Sequence, residues 1–303
     1  MSDDGRRPVA VTVLGRVCEC DGVRLSLWVN LGTMVVLGLL AMLVITGAHG
    51  WGRDGHEITA AIAESLLNDV ARRATADLLS VDGGHLADVA DWADQVKRRH
   101  GWQWSSALHY ANTRSWECGY TPVVDCPQHR CIAGAVHNYT ARLLYPTEFP
   151  GNDPYVALKF LVHFVGDISQ PLHVSFKADE GGNLEHGHFC RRRASLHEIW
   201  DDEIIKRRMG VSWTKETMDS WIACADAEDC AHKWAADSAL IACKDAYTDT
   251  DGSHIANGFD LCDAYYARAA PIVDMQLVKG GVRLAHLLNN IWRGPTYPIV
   301  MTR

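Results

Sequence analysis

The recurrence of apolar positions along the chain describes a succession of helices. Over 55–81, Ile58, Ile62, Leu66, Val70, Leu78 and Leu79 return at intervals of three or four with one longer gap. This predicts a long amphipathic helix, with Asp54 placed to cap its start. The stretch 86–97 carries Val89, Trp92, Ala93 and Val96 on one side, and 131–144, 155–168, 195–209, 229–246 and 261–292 follow as further helices. The last is expected to break near Gly280 and Gly281. Turn-rich loops at 117–128 and 179–188 separate these elements. No alternating strand pattern of useful length occurs, and neither a repeat nor a linker divides residues 51–303. The expectation is one all-α domain.

The first fifty residues do not share this pattern. Residues 25–52 hold no Lys, Arg, Asp or Glu, and 34–45 (MVVLGLLAMLVI) are apolar almost throughout. That length suits the apolar core of a signal peptide, and Ala48-His49-Gly50 sets small residues before Trp51, so secretion with cleavage after Gly50 is expected. The alternative is a retained membrane anchor, because the uncharged stretch is long enough to span a bilayer core of about 30 Å. In favour of the anchor, the leader is long and its Arg6, Arg7, Arg16 and Arg24 are balanced by Asp3, Asp4, Glu19 and Asp21.

Charge and cysteine usage narrow the class. The chain of 303 residues carries 29 Lys plus Arg against 37 Asp plus Glu, a formal charge of −8. This excludes a basic nucleic-acid binder that neutralises phosphate with side chains, but not a protein that brings positive charge as metal. Eight of the ten cysteines follow residue 50: Cys118, Cys126, Cys131, Cys190, Cys224, Cys230, Cys243 and Cys262. An even number behind a secretory leader points to disulfides, and the absence of any C-x2-C pair argues against a zinc ribbon. The sequon Asn138-Tyr139-Thr140 suits the same compartment.

The candidate chemistry lies in histidines and aspartates. His163 and Asp167 are four apart in one predicted helix, and His197 and Asp201 repeat the spacing in another. Each pair therefore shares a helical face, where an imidazole nitrogen and a carboxylate oxygen one turn apart can meet one Zn2+. One such pair is more often an ordinary solvated or hydrogen-bonded pair; two carry more weight. His163 also sits inside Phe160-Leu161-Val162-His163-Phe164-Val165, where a buried imidazole needs a strong partner. Asp94 and His109, taken singly, read as an ordinary helix carboxylate and a half-buried histidine.

Taken in order, Trp51-Gly52-x-x-Gly55-His56, Trp92-Ala93-Asp94, Leu108-His109-Tyr110, Phe160-Leu161-Val162-His163-Phe164-x-Gly166-Asp167-x-x-Gln170-Pro171-Leu172-His173, Gly181-Gly182-Asn183 and Leu196-His197-x-x-Trp200-Asp201 resemble the S1/P1 family. These are secreted, zinc-dependent single-strand nucleases and 3′-nucleotidases. The match runs from Trp51 to the segment Gly280-Gly281-Val282-Arg283-Leu284-Ala285. It implies a mainly helical domain, of a fold shared with bacterial zinc phospholipases C, that holds three Zn2+ in a cleft. By resemblance, one ion is held by Asp94, His109, His163 and Asp167, and a second by His173, His197 and Asp201. The third takes His56, Asp167 as a bridge, and the amine and carbonyl of Trp51 as the mature N-terminus. An α-amino group binds zinc once deprotonated, whereas a peptide nitrogen does not, so removal of the leader and completion of that site are one question.

The resemblance further implies a monomer that hydrolyses single-stranded DNA and RNA to 5′-phosphate products, and 3′-mononucleotides, by zinc-activated hydroxide. Asp94, Asp167 and Lys97 serve catalysis, with Lys97 contacting phosphate; without the resemblance, Lys97 reads as a solvated surface lysine. Tyr110 stands where the family stacks a nucleobase. Asn112 stands where many members carry an Asp that hydrogen-bonds the base, which leaves base preference open. Two bridges match the family, Cys126–Cys131 and Cys118–Cys262, with the other four cysteines unassigned, and Asn138 is a glycosylation candidate. The nearest rival is a zinc phospholipase C on the same fold, whose members use Glu in place of Asp201. A further rival is a membrane-anchored, non-catalytic zinc protein that keeps residues 1–50.

Overall fold

A computed structural model describes residues 51–207, 215–224 and 226–293. All of them belong to one contact unit, 48–303; the expected leader, 1–50, lies outside the described residues. The α-helices among the described residues are α1 (Arg53–Ser65), α2 (Asp69–Leu78), α3 (Trp92–Val96), α4 (Pro122–Asp125), α5 (Ile132–Leu144), α6 (Pro154–Ser169), α7 (Leu196–Glu198), α8 (Ile204–Lys206), α9 (Lys215–Trp221), α10 (Ala227–Ile241) and α11 (Asp263–Ile291). Among the described residues, no helix is long and apolar enough to cross a membrane.

The central element is α6. Every residue from Ala157 to Ser169 is buried, as a helix apolar on all sides requires, and α1, α5, α10 and α11 pack around it. The Asp153 side chain accepts from the Tyr155 N–H and Pro154 occupies the first turn, which starts the helix. Pro171 ends it by holding Gln170 extended at φ −81°, ψ 115°. The chain then turns sharply, and His173 follows within one 3-10 turn.

Several elements differ from the periodicity in ways with a local cause. The helix expected over 55–81 is two helices, because the Asn68 side chain accepts from the N–H groups of Val70 and Ala71 and caps α2. Asp54 lies inside the first turn of α1, and Gly52 is the N-cap. The stretch 86–97 is a 3-10 turn, Ala87–Val89, followed by the short α3. Between α7 and α8, Ile199–Glu203 form a π turn, and another, Ala242–Ala246, follows α10. By contrast, α11 runs unbroken across Gly280 and Gly281. A Cβ at Gly281 would stand 2.5 Å from Cγ2 of Ile62, so these glycines serve the close approach of α1.

Short strands join the helices. β1 (Ala111–Thr113) pairs in parallel with β2 (Val174–Phe176), with Ala111 opposite Val174. β3 (His186–Phe189) lies between β4 (Arg192–Ser195) and β5 (Asp260–Leu261). Strands of two to four residues leave no period-two signature to find in a sequence. The body remains mainly helical, as expected.

Among the described residues, the disulfides are Cys126–Cys131, Cys224–Cys230, Cys118–Cys243 and Cys190–Cys262. The expected Cys118–Cys262 bridge is therefore corrected. The parallel register of β3 with β5 sets Phe189 opposite Leu261, and the Cys190 N–H donates to the Leu261 carbonyl at 2.8 Å. That pairing leaves Cys262 beside Cys190, while Cys118 meets the π turn that carries Cys243, with the Cα atoms 5.5 Å apart.

Candidate metal centre and substrate groove

Six segments deliver the site. α1 carries His56, α3 carries Asp94 with Lys97 just after it, the end of a 3-10 turn carries His109, and α6 carries His163 and Asp167. Pairing of β1 with β2 aligns the residues that precede each strand, so the His109 carbonyl accepts from Nδ1 of His173 at 2.5 Å. The α7 and π segment adds His197 and Asp201. The π turn widens the backbone at Trp200 and Asp201, a distortion frequent at functional sites.

Within the first set, Nδ1 of His109 lies 3.0 Å from Oδ2 of Asp167 and 3.4 Å from Oδ1 of Asp94. Nε2 of His163 stands 3.2 Å and 3.5 Å from the same two oxygens and 3.1 Å from Nδ1 of His109. In the second set, Nε2 of His173 and Nε2 of His197 are 3.2 Å apart, and Oδ2 of Asp201 is 3.4 Å from the latter. On the other side of Asp167, Oδ1 stands 3.2 Å from Nε2 of His56. Both oxygens of this one carboxylate thus face imidazoles, as a bridge between two ions requires. All of these histidines, together with Asp167 and Asp201, are buried.

The donor set fits divalent cations. Nδ1 of His163 donates to the Ala90 carbonyl at 2.7 Å, Nδ1 of His173 to the His109 carbonyl, and Nδ1 of His197 to the Gly181 carbonyl at 2.6 Å. Each ring therefore turns its Nε2 toward the cluster, the outer-shell arrangement of metal-ligating histidines. Nε2 of His173 and Nε2 of His197 then face each other with lone pairs, a repulsive contact that a cation or a proton relieves. Oδ1 of Asp167 and both ring nitrogens of His56 are buried without a hydrogen bond, although only 3.2 Å separates the carboxylate oxygen from Nε2.

Charge in the bare set tells the same story. Burial opposes a charge on His163, yet Asp167 and Asp94 outweigh it and push its pKa up to about 10. Burial, helped by the charges of Lys97 and His163 and opposed by Asp167, brings His109 down to about 4. Burial also pushes the Asp201 carboxyl well above the usual range, against the hydrogen bond from Gln170 and with Asp202, Asp167 and Asp94 adding to the rise. Stripped of cations, the cluster keeps a proton on His163 and on the Asp201 carboxyl, while His109 and His56 are held neutral. Cations at those points let Asp201 ionise and keep the imidazoles neutral.

Other expected residues are placed as follows. Lys97 is buried, and its Nζ meets Oδ1 of Asp94 at 2.5 Å, so it is not a solvated surface lysine. Trp51 is fully buried at the start of α1, and the next residue, Gly52, donates its N–H to the Asp201 carbonyl at 3.1 Å. Tyr110 and Asn112 line a groove of about 530 Å3 together with Arg114, Arg130 and Lys177. A chain of net charge −8 thus gathers three cationic side chains around one groove. Asn138 lies half-exposed within α5 and not in a loop, with the Thr140 hydroxyl buried and donating to the Val136 carbonyl. Trp200 is core, its Nε1–H donating to the Tyr265 hydroxyl.

Gln170, Gly166 and Gly181 are site residues that motif spacing alone leaves without a role. Nε2 of Gln170 donates to Oδ1 of Asp201 at 2.5 Å. A Cβ at Gly166 would stand 2.6 Å from Nδ1 of His56. Gly181, at φ 67°, aims the carbonyl that orients His197. The signal in each case was a Gly or Gln inside a His/Asp motif.

A mainly helical body in which two adjoining His/Asp sets converge defines a helical protein with a candidate metal centre. The S1/P1 Nuclease family model matches residues 51–293. Endonuclease 2 of Arabidopsis thaliana is 36% identical over 288 residues, covering 86% of this chain and 96% of that protein. Nuclease S1 of Aspergillus oryzae is 31% identical over 284 residues, 85% and 96% of the two chains, and nuclease P1 of Penicillium citrinum 28% over 267, 80% and 97%. The chain belongs to the S1/P1 nuclease family.

Proposed function

We propose that the protein is a secreted, zinc-dependent endonuclease that cleaves single-stranded DNA and RNA to 5′-phosphate products and also hydrolyses 3′-mononucleotides. The observation that carries the metal is the 3.2 Å approach of Nε2 of His173 to Nε2 of His197, each ring anchored through Nδ1 to a carbonyl. Zn2+ would be held by Asp94, His109, His163 and Asp167; by His173, His197 and Asp201; and by His56, Asp167 and the Trp51 terminus. Bound there, zinc supplies Lewis-acid polarisation of a phosphoryl oxygen and a water acidic enough to react near neutral pH.

The chain's own residues do the remainder. Asp167, with imidazoles at both oxygens, sets the spacing of the first and third donor groups. Gln170 holds one Asp201 oxygen so that the other faces His197. Lys97, held against Asp94 through its Nζ, contacts a phosphate oxygen. Tyr110 stacks on an unpaired base, which a duplex cannot offer, and Asn112 donates to or accepts from its edge. Arg114, Arg130 and Lys177 draw flanking phosphates into the groove.

Initial rates on single-stranded DNA, duplex DNA, RNA, 3′-AMP and phosphatidylcholine test the reading. The expected outcome is cleavage of the first and third and dephosphorylation of 3′-AMP, with duplex DNA slow. Release of diacylglycerol without nucleotide release would overturn it in favour of a phospholipase. Secretion and leader removal are tested by N-terminal sequencing of the protein from its own host, expected to begin at Trp51. A mature chain beginning at Met1 would remove the terminal amine from the third donor group. In the same material, Asn138 is expected to carry a glycan and the enzyme to run as a monomer.

A further inference from the structure

A second cluster of ligating side chains stands outside the donor sets described above. His129, in the loop closed by Cys126–Cys131, and Glu228 and His232, on α10, present donor atoms that all lie within 4.8 Å of one another. Nδ1 of His129 is 4.0 Å from one Glu228 oxygen, and Nε2 of His137, on α5, is 3.9 Å from the other. The geometry points to a peripheral site for a divalent cation of the zinc class, ligated by His129, Glu228 and His232, with water in the fourth place and His137 at its edge.

Local structure prepares these groups. Glu228 and His232 are one turn apart on α10 and share a face. The Tyr120 hydroxyl lies 2.9 Å from Nδ1 of His232 and the two rings stack, which fixes the imidazole and leaves Nε2 as the ligand nitrogen. Gln128 and His129 both adopt left-handed backbone, at φ 57° and 56°, a conformation that side-chain-bearing residues rarely take. The turn is seated on Gly134, where a Cβ would fall on the His129 carbonyl. Strained backbone and a fitted glycine together place His129 toward α10.

The chemistry then selects the ion. Two imidazoles and one carboxylate suit zinc and its neighbours, whereas calcium and magnesium favour oxygen donors throughout. The present separations exceed the roughly 3.3 Å between ligands of a tetrahedral ion with bonds near 2.0 Å. His129 and Glu228 are 68% and 46% exposed, so side-chain rotation closes that gap without moving the backbone. The loop that carries His129 also supplies Pro127 and Arg130 to the groove, but His129 itself does not line it.

None of these ligands belongs to the cleft, so the site is tested apart from the activity. The full enzyme and its His129→Ala, His232→Ala and His85→Ala variants are equilibrated with excess Zn2+, freed of unbound metal, and their zinc content measured by atomic absorption. His85, which pairs with Glu64 on the surface, is the control for an ordinary exposed His–Glu pair. The expected result is one zinc fewer per chain in each of the first two variants, with the control equal to wild type. Zinc content equal to wild type in either the His129 or the His232 variant would overturn the assignment. All four proteins are expected to cleave single-stranded DNA at equal rates when the cleft is loaded, which separates loss of this ion from loss of the catalytic ones.

Discussion

Gly166 sits inside α6, one residue before Asp167, where a Cβ would stand 2.6 Å from Nδ1 and 3.0 Å from Cε1 of His56. Ordinary contact begins near 3.4 Å, so the Gly166→Ala substitution makes the ring retreat by about 0.8 Å. The ring has little room to do so, because it is buried and stacked on His163 with centroids 3.9 Å apart. Overpacking of this kind costs about 1–3 kcal/mol, while alanine in a helix interior recovers about 1 kcal/mol over glycine. The net loss of stability is then about 0–2 kcal/mol, a few degrees in the thermal midpoint. Activity responds more steeply, since Nε2 of His56 faces Oδ1 of Asp167 at 3.2 Å and a misplacement approaching 1 Å costs about 100-fold in rate. Initial rates on single-stranded DNA and calorimetric midpoints, taken at one zinc concentration, separate the two effects. A variant with kcat/KM within about threefold of wild type would refute the claim that Gly166 is there to seat His56.

Chelation is expected to abolish activity and to lower the melting temperature, because donors from separate segments repel one another when the cations leave; an unchanged midpoint after exhaustive dialysis against chelator would count against the metal centre. Asp167→Ala removes the carboxylate that faces His56, His109 and His163, and is expected to be more damaging to zinc content than Asp94→Ala; equal content would contradict the bridging role. Lys279 and Arg283 overcome burial to hold the Asp237 carboxyl below its usual range. Its stabilisation is therefore full above the unfolded pKa near 3.9 and is lost as pH falls through the folded value. Asp237→Asn is expected to flatten that acid limb and to cost about 2–3 kcal/mol at neutral pH, less than a fully buried pair because Asp237 is 35% exposed; an unaltered stability–pH curve would refute it. Peptide mapping without reduction should recover Cys118 with Cys243 and Cys190 with Cys262; a Cys118–Cys262 peptide would contradict the β3–β5 register.

Most of the candidate site is legible in the sequence. His163 with Asp167, and His197 with Asp201, lie one turn apart in single local segments, and one turn is a distance that sequence spacing encodes. The ordered motifs carried His56, Asp94, His109 and His173 as well, and the structure brings all of them to the site. What spacing could not supply was the role of residues that act through others. Gln170 stood in a quoted motif but reaches Asp201 only across the fold, and Gly181 contributes a carbonyl, which every residue type possesses.

The amino-acid sequence by itself determined the helical class, the His/Asp donor set and the family, because each rests on periodicity or on short motifs within one segment. Tertiary structure decided what depends on distant segments meeting. The Cys190–Cys262 bridge follows from a strand pairing of only two residues, too short to leave a pattern, and the unbroken α11 follows from the approach of α1 to Gly281. The His129, Glu228 and His232 cluster exists only because a disulfide loop folds against α10, about a hundred residues away in sequence. Local patterning follows from the geometry of a single helix, whereas each of these contacts depends on how separate elements pack, information that no window of neighbouring residues contains.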